Sequence, residues 1–96
     1  MSYGNLTWNS EKNQALRQAR GIGFEDVEAQ IEADEVLDDF PHPLSAKYPN
    51  QRILVVRIDG YAVRVPYVFT EDGIFLKTMF PSRVSQKLYT NEENYD

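Results

Sequence analysis

The sequence predicts a single α+β domain, in which an antiparallel sheet has two N-terminal helices packed on one face and is followed by a short C-terminal helix. Helix-forming residues with apolar side chains at helical spacing fill the N-terminal half, and segments rich in Val, Ile and Tyr flank Asp59-Gly60 in the other half. Because the chain has 96 residues and is 42% hydrophobic, it can bury one modest core. We therefore expect residues 1–96 to form one domain.

A short strand and a helix are predicted at the start of the chain. Tyr3, Leu6 and Trp8 lie in an otherwise polar stretch that could form a short N-terminal strand. Asn9 or Ser10 then offers a side-chain oxygen to cap the N-terminus of a helix. This helix is predicted to run to Arg20 and to end at Gly21, which readily adopts the left-handed conformation.

A second amphipathic helix is predicted from about Glu25 to Ala33, with an acidic outer face. Between the two helices, Gly21-Ile22-Gly23 is interpreted as a helix stop and nothing more. The prolines of the 38–43 segment exclude further helix, so a loop is predicted from there to Asn50.

The C-terminal half favours a three-stranded meander followed by a helix. The predicted elements are strands at 53–59, 61–69 and 74–80 and a helix from Ser82 to Tyr89. Asp59-Gly60 and Asp72-Gly73 provide the turns, because these residues tolerate positive φ. Pro66 lacks an N–H group and predicts a bulge or bend in the middle strand. The tail from Thr90 to Asp96 is expected to be frayed.

Two-residue loops at both turns fix a predicted register. In that register Ile58 faces Tyr61 and Phe69 faces Leu76. The face expected to pack on the helices comprises Leu54, Val56, Ile58, Val63, Val65, Leu76 and Phe80. Arg57, Arg64 and Lys77 fall together on the opposite face, which antiparallel sheets commonly leave in water.

Composition excludes several classes of chemistry. The chain has no cysteine and one histidine, so disulfide scaffolds, zinc ribbons, thiol nucleophiles and histidine-rich metal sites are excluded. No phosphate-binding glycine loop is present, and we expect neither a metal nor another cofactor. With no apolar stretch of membrane length and no signal-peptide pattern at the start, a cytoplasmic protein without membrane contact is expected.

Charge is unevenly distributed along the chain, although its net value is -5. Residues 1–50 have four basic and nine acidic side chains, whereas residues 51–90 have six basic and three acidic ones, a local balance of +3. Cations that converge from adjacent strands, with Arg83 at the start of the next helix, would form an anion site for the RNA backbone. The alternative is an ordinary solvated sheet face. Aromatic residues in these strands stack on bases or pack in the core.

Three segments of the sequence together resemble a known family. They are Trp8-Asn9-Ser10-Glu11-Lys12-Asn13, Arg20-Gly21-Ile22-Gly23-Phe24-Glu25-Asp26-Val27 and Phe75-Leu76-Lys77-Thr78-Met79-Phe80-Pro81-Ser82-Arg83. In these segments and over most of its length the chain is similar to the BrnT-type toxins of bacterial type II toxin-antitoxin pairs. The resemblance implies a RelE-like ribonuclease fold and neutralisation by a DNA-binding antitoxin.

The resemblance also implies roles for individual residues. Lys77 matches the basic residue of the last strand, and Arg83 matches the arginine that follows the serine after it. Lys87 and Tyr89 match the basic and aromatic positions of the final helix, where they would bind RNA. The predicted register, rather than the resemblance, adds Arg57 to the residues that bind RNA and Arg64 to the catalytic set. Lys77, Arg83 and Arg64 would then stabilise the charge that develops on the phosphoryl oxygens during metal-independent cleavage.

Two functional hypotheses remain open from the sequence. The first is a toxin-like small ribonuclease that binds RNA and a cognate antitoxin. The second is a non-catalytic domain of the same fold that binds a protein partner. A general acid and base are not identified: His42 lies between two prolines and is interpreted as a surface or turn residue, and Glu25 or Tyr89 would need a strongly shifted pKa.

Overall fold

The computed structural model describes residues 3–90, which form a six-stranded sheet and three helices. In chain order the elements are β1 (Asn5–Trp8), α1 (Ser10–Arg20), α2 (Phe24–Glu32), β2 (Val36–Pro41), β3 (Gln51–Ile58), β4 (Tyr61–Phe69), β5 (Gly73–Leu76), β6 (Phe80–Pro81) and α3 (Arg83–Thr90). The sheet order is β1-β5-β4-β3-β2, and β6 pairs with β4. Since every described pairing except β1 with β5 is antiparallel, the predicted α+β class is confirmed.

Helices α1 and α2 pack on one face of the sheet, as predicted, and we call this the core face. The core contains buried side chains from α1, α2, three strands (β3, β4 and β5) and the segment after β5; it comprises Leu16, Phe24, Val27, Ile31, Leu54, Val56, Ile58, Val63, Val65, Tyr67, Ile74, Leu76 and Met79. Alternate residues of β3 and β4 belong to it because successive side chains of a strand point to opposite faces. The alternation of side chains along a strand thus determines which residues of β3 and β4 contact the helices.

The predicted hairpin between β3 and β4 is confirmed in turn and register. Ile58 pairs with Tyr61 and Val55 with Arg64. Asp59 and Gly60 have φ angles of 53° and 79°, the positive values that a two-residue hairpin turn of this type requires. The hairpin therefore places Arg57 and Arg64 on the same face of the sheet.

The second turn is longer than predicted. Phe69 pairs with Ile74 rather than with Leu76, because the N–H of Thr70 bonds to the Gly73 carbonyl and the loop takes four residues. The register is shifted by two residues, so side chains of β5 keep their predicted faces.

The predicted third strand is divided into β5 and β6, and the placement of Phe80 in the core is wrong. The Pro66 carbonyl accepts the Lys77 N–H at 2.8 Å, so the position of its missing N–H faces the 77–79 segment, where the pairing breaks. The irregularity expected within β4 thus lies in its neighbour, while β4 pairs with β3 without interruption. The break moves Met79 into the core and leaves Phe80 opposite Arg64, 39% exposed.

The predicted loop from residue 38 to residue 50 is also partly wrong, because β2 occupies its first residues. Phe40 and Pro41 pair with Ile53 and Arg52 at the edge of the sheet. Proline is tolerated on an edge strand because one side of such a strand needs no hydrogen-bond donor. The sequence lacked a strand signal here because two aspartates interrupt the apolar pattern.

The corner between α1 and α2 is formed by residues of the chain's two N-terminal segments, 8–13 and 20–27. Asn9 caps α1 by accepting the Lys12 N–H at 2.9 Å, and Gly21 ends that helix with φ of 78°. Trp8 stacks on Phe24 with a centroid separation of 5.7 Å. These residues fix the path of the chain from β1 into the helices.

Asn13 connects the two helices. Its Oδ1 accepts the buried Phe24 N–H at 2.7 Å, and its Nδ2 donates to both Glu25 carboxylate oxygens. These bonds and Arg17 lower the pKa of Glu25 to about 2. Gly23 is more than a helix stop, since a Cβ there would lie 2.6 Å from Asn13 Oδ1 and 2.6 Å from Arg17 Nη2.

Candidate nucleic-acid interface

The sheet face opposite the core, predicted to be open, is partly covered by α3, and we call it the α3 face. Its buried residues are Ile53, Val55 and Ala62, with Leu37, Phe40 and Tyr89 packed against them. The α3 residues that contact the sheet are mostly polar: the Gln86 side chain accepts the Ala62 N–H at 2.7 Å. The helix is thus attached largely through hydrogen bonds around a small apolar cluster.

Arg64, which the sequence places in the candidate catalytic set, lies under α3. Its Nε donates to Ser85 Oγ at 3.0 Å, and its guanidinium lies 5.3 Å from the centre of the Phe40 ring. Ser85 is 1% exposed. Arg64 therefore attaches the helix to the sheet through one of the five N–H donors of its guanidinium.

Arg57 and Tyr89 form a second connection between the sheet and α3. Arg57 Nη2 donates to the Tyr89 carbonyl at 2.9 Å, while the Tyr89 hydroxyl donates to Asp38 at 2.6 Å. Burial and the Asp38 carboxylate raise the pKa of Tyr89 to about 12, so its hydroxyl stays protonated at neutral pH. Tyr89 thus acts as a donor, and as a general base it would be weak.

The remaining predicted cations are exposed. Arg83 and Lys87 lie one turn apart on the outer side of α3, and Lys77 lies just past β5, where its N–H bonds to Pro66. Within residues 3–90 none of the three forms an ion pair. The structure therefore brings Arg57 and Arg64 together beneath α3 and leaves Lys77, Arg83 and Lys87 at the surface.

Charge is segregated across the sheet. On the core-face side, α2 presents Glu25, Asp26, Glu28 and Glu32, and Asp34 and Glu35 follow it, so this helix is acidic, while the neighbouring α1 carries the three cations Lys12, Arg17 and Arg20 beside Glu11. Arg57, Arg64, Arg83 and Lys87 belong to the opposite side, where Asp38 contacts Tyr89. A chain with a net charge of -5 thus has a positively charged side.

Among the described residues on the α3 side, no two groups are arranged as a general acid and a general base. His42, from the loop after β2, accepts the Leu44 N–H through Nδ1 at 3.0 Å and packs on Tyr48. This contact supports its interpretation as a turn residue. Glu25 lies with the helices, where its lowered pKa makes it a poor acid.

Sequence reasoning missed the groups that hold Arg64 and Tyr89 in place. Ser85 accepts a hydrogen bond from Arg64, and Asp38 accepts one from Tyr89; both contacts depend on α3 folding back over the sheet. A second cluster was missed as well: Asp39 accepts hydrogen bonds from Tyr3, Tyr67 and Arg52. Burial and Asp39 raise the pKa of both tyrosines, which remain neutral donors. The usable signal was the pair of aspartates beside Phe40.

Comparison with protein-family models, curated proteins and solved structures finds no match to this chain. Among residues 3–90, no helix has the length and apolar character needed to cross a membrane. The same residues contain no group of three or more His, Cys, Asp or Glu placed to hold a metal ion.

Proposed function

We propose that this chain is a toxin-like small ribonuclease of a toxin-antitoxin pair, which binds the RNA backbone with its basic side and acts in the cytoplasm. The observation that supports this most directly is the segregation of charge, since the described cations of the α3 side are separated by the sheet from the acidic α2. Phosphate contacts from Arg and Lys provide most of the sequence-independent affinity for nucleic acids. The sequence resemblance to BrnT-type toxins supports the same proposal.

Cleavage in this proposal needs no metal. The 2′-oxygen bonds to the adjacent phosphorus as its hydroxyl proton passes to water, and the P–O5′ bond breaks as water returns a proton to the leaving 5′-oxygen. The products are a 2′,3′-cyclic phosphate and a 5′-hydroxyl, and the cations stabilise the negative charge on the phosphoryl oxygens. Lys77 and Arg83 are exposed and available for this role, whereas Arg64 contributes the donors that Ser85 leaves unused. In well-studied enzymes, loss of one such electrostatic contact raises the activation free energy by about 3 kcal/mol, which lowers the rate roughly 100-fold.

Expression of the chain alone in a bacterial host tests the proposal. We expect growth arrest and cleavage of bulk RNA, both abolished in the double variant Lys77→Ala, Arg83→Ala. The matched control is Lys12→Ala, Arg20→Ala, which also removes one Lys and one Arg but from the exposed surface of α1. Normal growth with intact RNA at good yield of folded protein refutes the ribonuclease proposal, and equal toxicity of the double variant refutes the assigned site.

A non-catalytic protein-interaction domain is the second candidate, and the outer surface of α3 favours it. Val84 and Leu88 are 62% and 58% exposed, one turn apart, so this helix turns its largest aliphatic side chains to solvent. An antitoxin or another protein partner would bury them. If the wild-type chain does not arrest growth, we expect it to co-purify with a protein encoded by the neighbouring gene. The double variant Val84→Ser, Leu88→Ser is expected to lose this partner, while its circular dichroism spectrum stays that of the folded wild type.

A further inference from the structure

A surface hollow of about 480 Å³ opens at the end of the sheet where β4 ends and β3 begins. Its walls are Pro41, Pro49, Asn50, Gln51, Arg52 and Phe69. We call it the Phe69 hollow. Half of this lining is apolar rings and half is amide and guanidinium groups, the mixture that orients a planar polar ligand.

Phe69 is the most exposed of the large apolar side chains in the described residues, at 65%. Its ring is nevertheless held in place, because it meets the buried Tyr67 ring edge to face with centroids 5.6 Å apart and planes at 78°. A fixed and accessible aromatic ring is a stacking platform, since little side-chain freedom is lost when a second ring binds to it.

The polar wall of the hollow is also fixed. The His42 N–H bonds to the Gln51 carbonyl at 3.0 Å, and the Gln51 N–H bonds to the Tyr48 carbonyl at 3.2 Å. Arg52 is oriented by Asp39, to which its Nε and Nη2 donate at 2.9 and 3.1 Å. The side-chain amides of Asn50 and Gln51 have no hydrogen-bond partner within residues 3–90, so their donors and acceptors are open to a ligand.

A second hollow of about 240 Å³ adjoins the first and shares Pro49, Asn50 and Gln51 with it. Its other lining residues are Lys47, Tyr48 and Val68, and the Lys47 ammonium lies 5.5 Å from the centre of the Tyr48 ring. Val68 belongs to the α3 face by strand alternation, because it pairs with Gln51 two residues beyond the Ile53–Pro66 pair. The Lys47 ammonium thus belongs to a hollow that is separated from the Phe69 hollow by the shared residues 49–51.

We propose that the Phe69 hollow binds an unpaired nucleobase of single-stranded RNA. The base stacks on Phe69, its edge bonds to the Asn50 and Gln51 amides and to Arg52, and the adjoining phosphate contacts Lys47. Duplex RNA is excluded, because its bases stay stacked on one another and cannot reach the ring. This inference rests on the proposed RNA-binding function and adds a specific subsite about 17 Å along β4 from Arg64 at the spacing of residues in a strand. Because an odd number of residues separates them, Phe69 lies on the core-face side with Tyr67 and Arg64 lies on the α3 face, so the bound RNA passes around the end of the sheet from one side to the other.

Fluorescence anisotropy with labelled RNA tests the subsite. The probes are an unpaired adenosine decamer and a hairpin whose nucleotides are all paired except for its tight loop, at one fixed salt concentration. Phe69→Ala and Phe69→Leu are expected to bind the decamer between about 5- and 100-fold more weakly, the range for loss of one stacked base. Phe69→Trp keeps an aromatic ring and is expected to bind the decamer as tightly as the wild type does. The affinity for the hairpin is expected to change less than twofold in all three variants.

Leu44→Ala is the matched control. Leu44 is 58% exposed and lies in the loop between β2 and β3 that provides Pro49 and Asn50 to the hollow, but it does not line the hollow itself. Decamer affinity unchanged in both Phe69→Ala and Phe69→Leu overturns the subsite. If Lys77→Ala, Arg83→Ala still weakens binding to both probes, the proposed RNA-binding function stands alone. A wild-type chain that binds neither probe overturns the proposed function and the subsite together.

Discussion

Replacing Asp39 by Asn is expected to lower the free energy of unfolding by about 3 kcal/mol. Asp39 Oδ2 accepts the hydroxyls of Tyr3 at 2.8 Å and Tyr67 at 2.7 Å, and Oδ1 accepts Arg52 Nε at 2.9 Å. An amide has one acceptor oxygen, so its NH₂ group must face either the tyrosines or Arg52, all of which are donors there. At least one charge-assisted bond is lost, and the others become neutral.

The magnitude follows from these contacts. A hydrogen bond to a charged group contributes about 1.5–3 kcal/mol and a neutral one about 1 kcal/mol, so one lost and two weakened bonds total roughly 2.5–7 kcal/mol. We take the lower end because the Arg52 and Asp39 side chains are 33% and 23% exposed, and water replaces part of the loss.

Urea denaturation followed by circular dichroism measures this change. Asp59→Asn is the control, since Asp59 is exposed in the hairpin turn and asparagine tolerates its φ of 53°. The control should unfold within about 0.5 kcal/mol of the wild type. If Asp39→Asn is equally mild, the carboxylate does not connect the strands as the distances indicate, and the reasoning fails.

Three further predictions concern the helices. Asn13→Ala should cost about 2 kcal/mol in urea denaturation, because it leaves the buried Phe24 N–H without an acceptor; a loss below about 0.5 kcal/mol would contradict this. Since the pKa of Glu25 is lowered to about 2, the stability that Glu25 provides is present above pH 4.5 and is lost as the pH falls towards 2, so Glu25→Gln should flatten the acid limb of a stability–pH curve; parallel limbs would refute it. Since the pKa of Tyr89 is raised from 10.0 to about 12, the stability that Tyr89 provides is present below pH 10 and is lost between pH 10 and 12. The protection factor of the Ala62 N–H beneath α3, which compares its exchange rate with the base-catalysed rate of an unfolded chain at the same pH, should fall in that window in the wild type but change little in Tyr89→Phe; identical pH profiles of the protection factor would argue against a stabilising contact between Tyr89 and Asp38.

Local chemistry made much of the fold predictable. Asp59-Gly60 determined the hairpin, and from it the register that places Arg57 and Arg64 together. Asn9 and Gly21 marked the ends of α1 because capping depends on neighbouring backbone groups. These features need no information from distant parts of the chain.

Features that depend on tertiary contacts were not predictable in the same way. β2 is a strand because the edge of β3 offers it partners, although its own sequence has two aspartates and a proline. The candidate site shows the same limit: the type and face of Arg64 were predicted, but its bond to Ser85 arises only when α3 folds back. The Phe69 hollow depends on the 42–50 loop meeting the end of β4, which no local pattern indicates.

The parallel pairing of β1 with β5 has a consequence for the order in which the chain folds. Asn5 and Trp8 pair with Gly73 and Leu76, so the first strand has no partner until the ribosome has made residues 73–76. The apolar side chains of α1 and α2 wait until β3 and β4 have been made, since their contacts lie on β3, β4 and β5. The amino-terminal third therefore leaves the ribosome with its hydrophobic residues uncovered, and folding is expected to begin at the later β3–β4 hairpin, whose contacts are local. In a cell, the nascent chain would be most exposed to chaperones and proteases before residue 76 emerges.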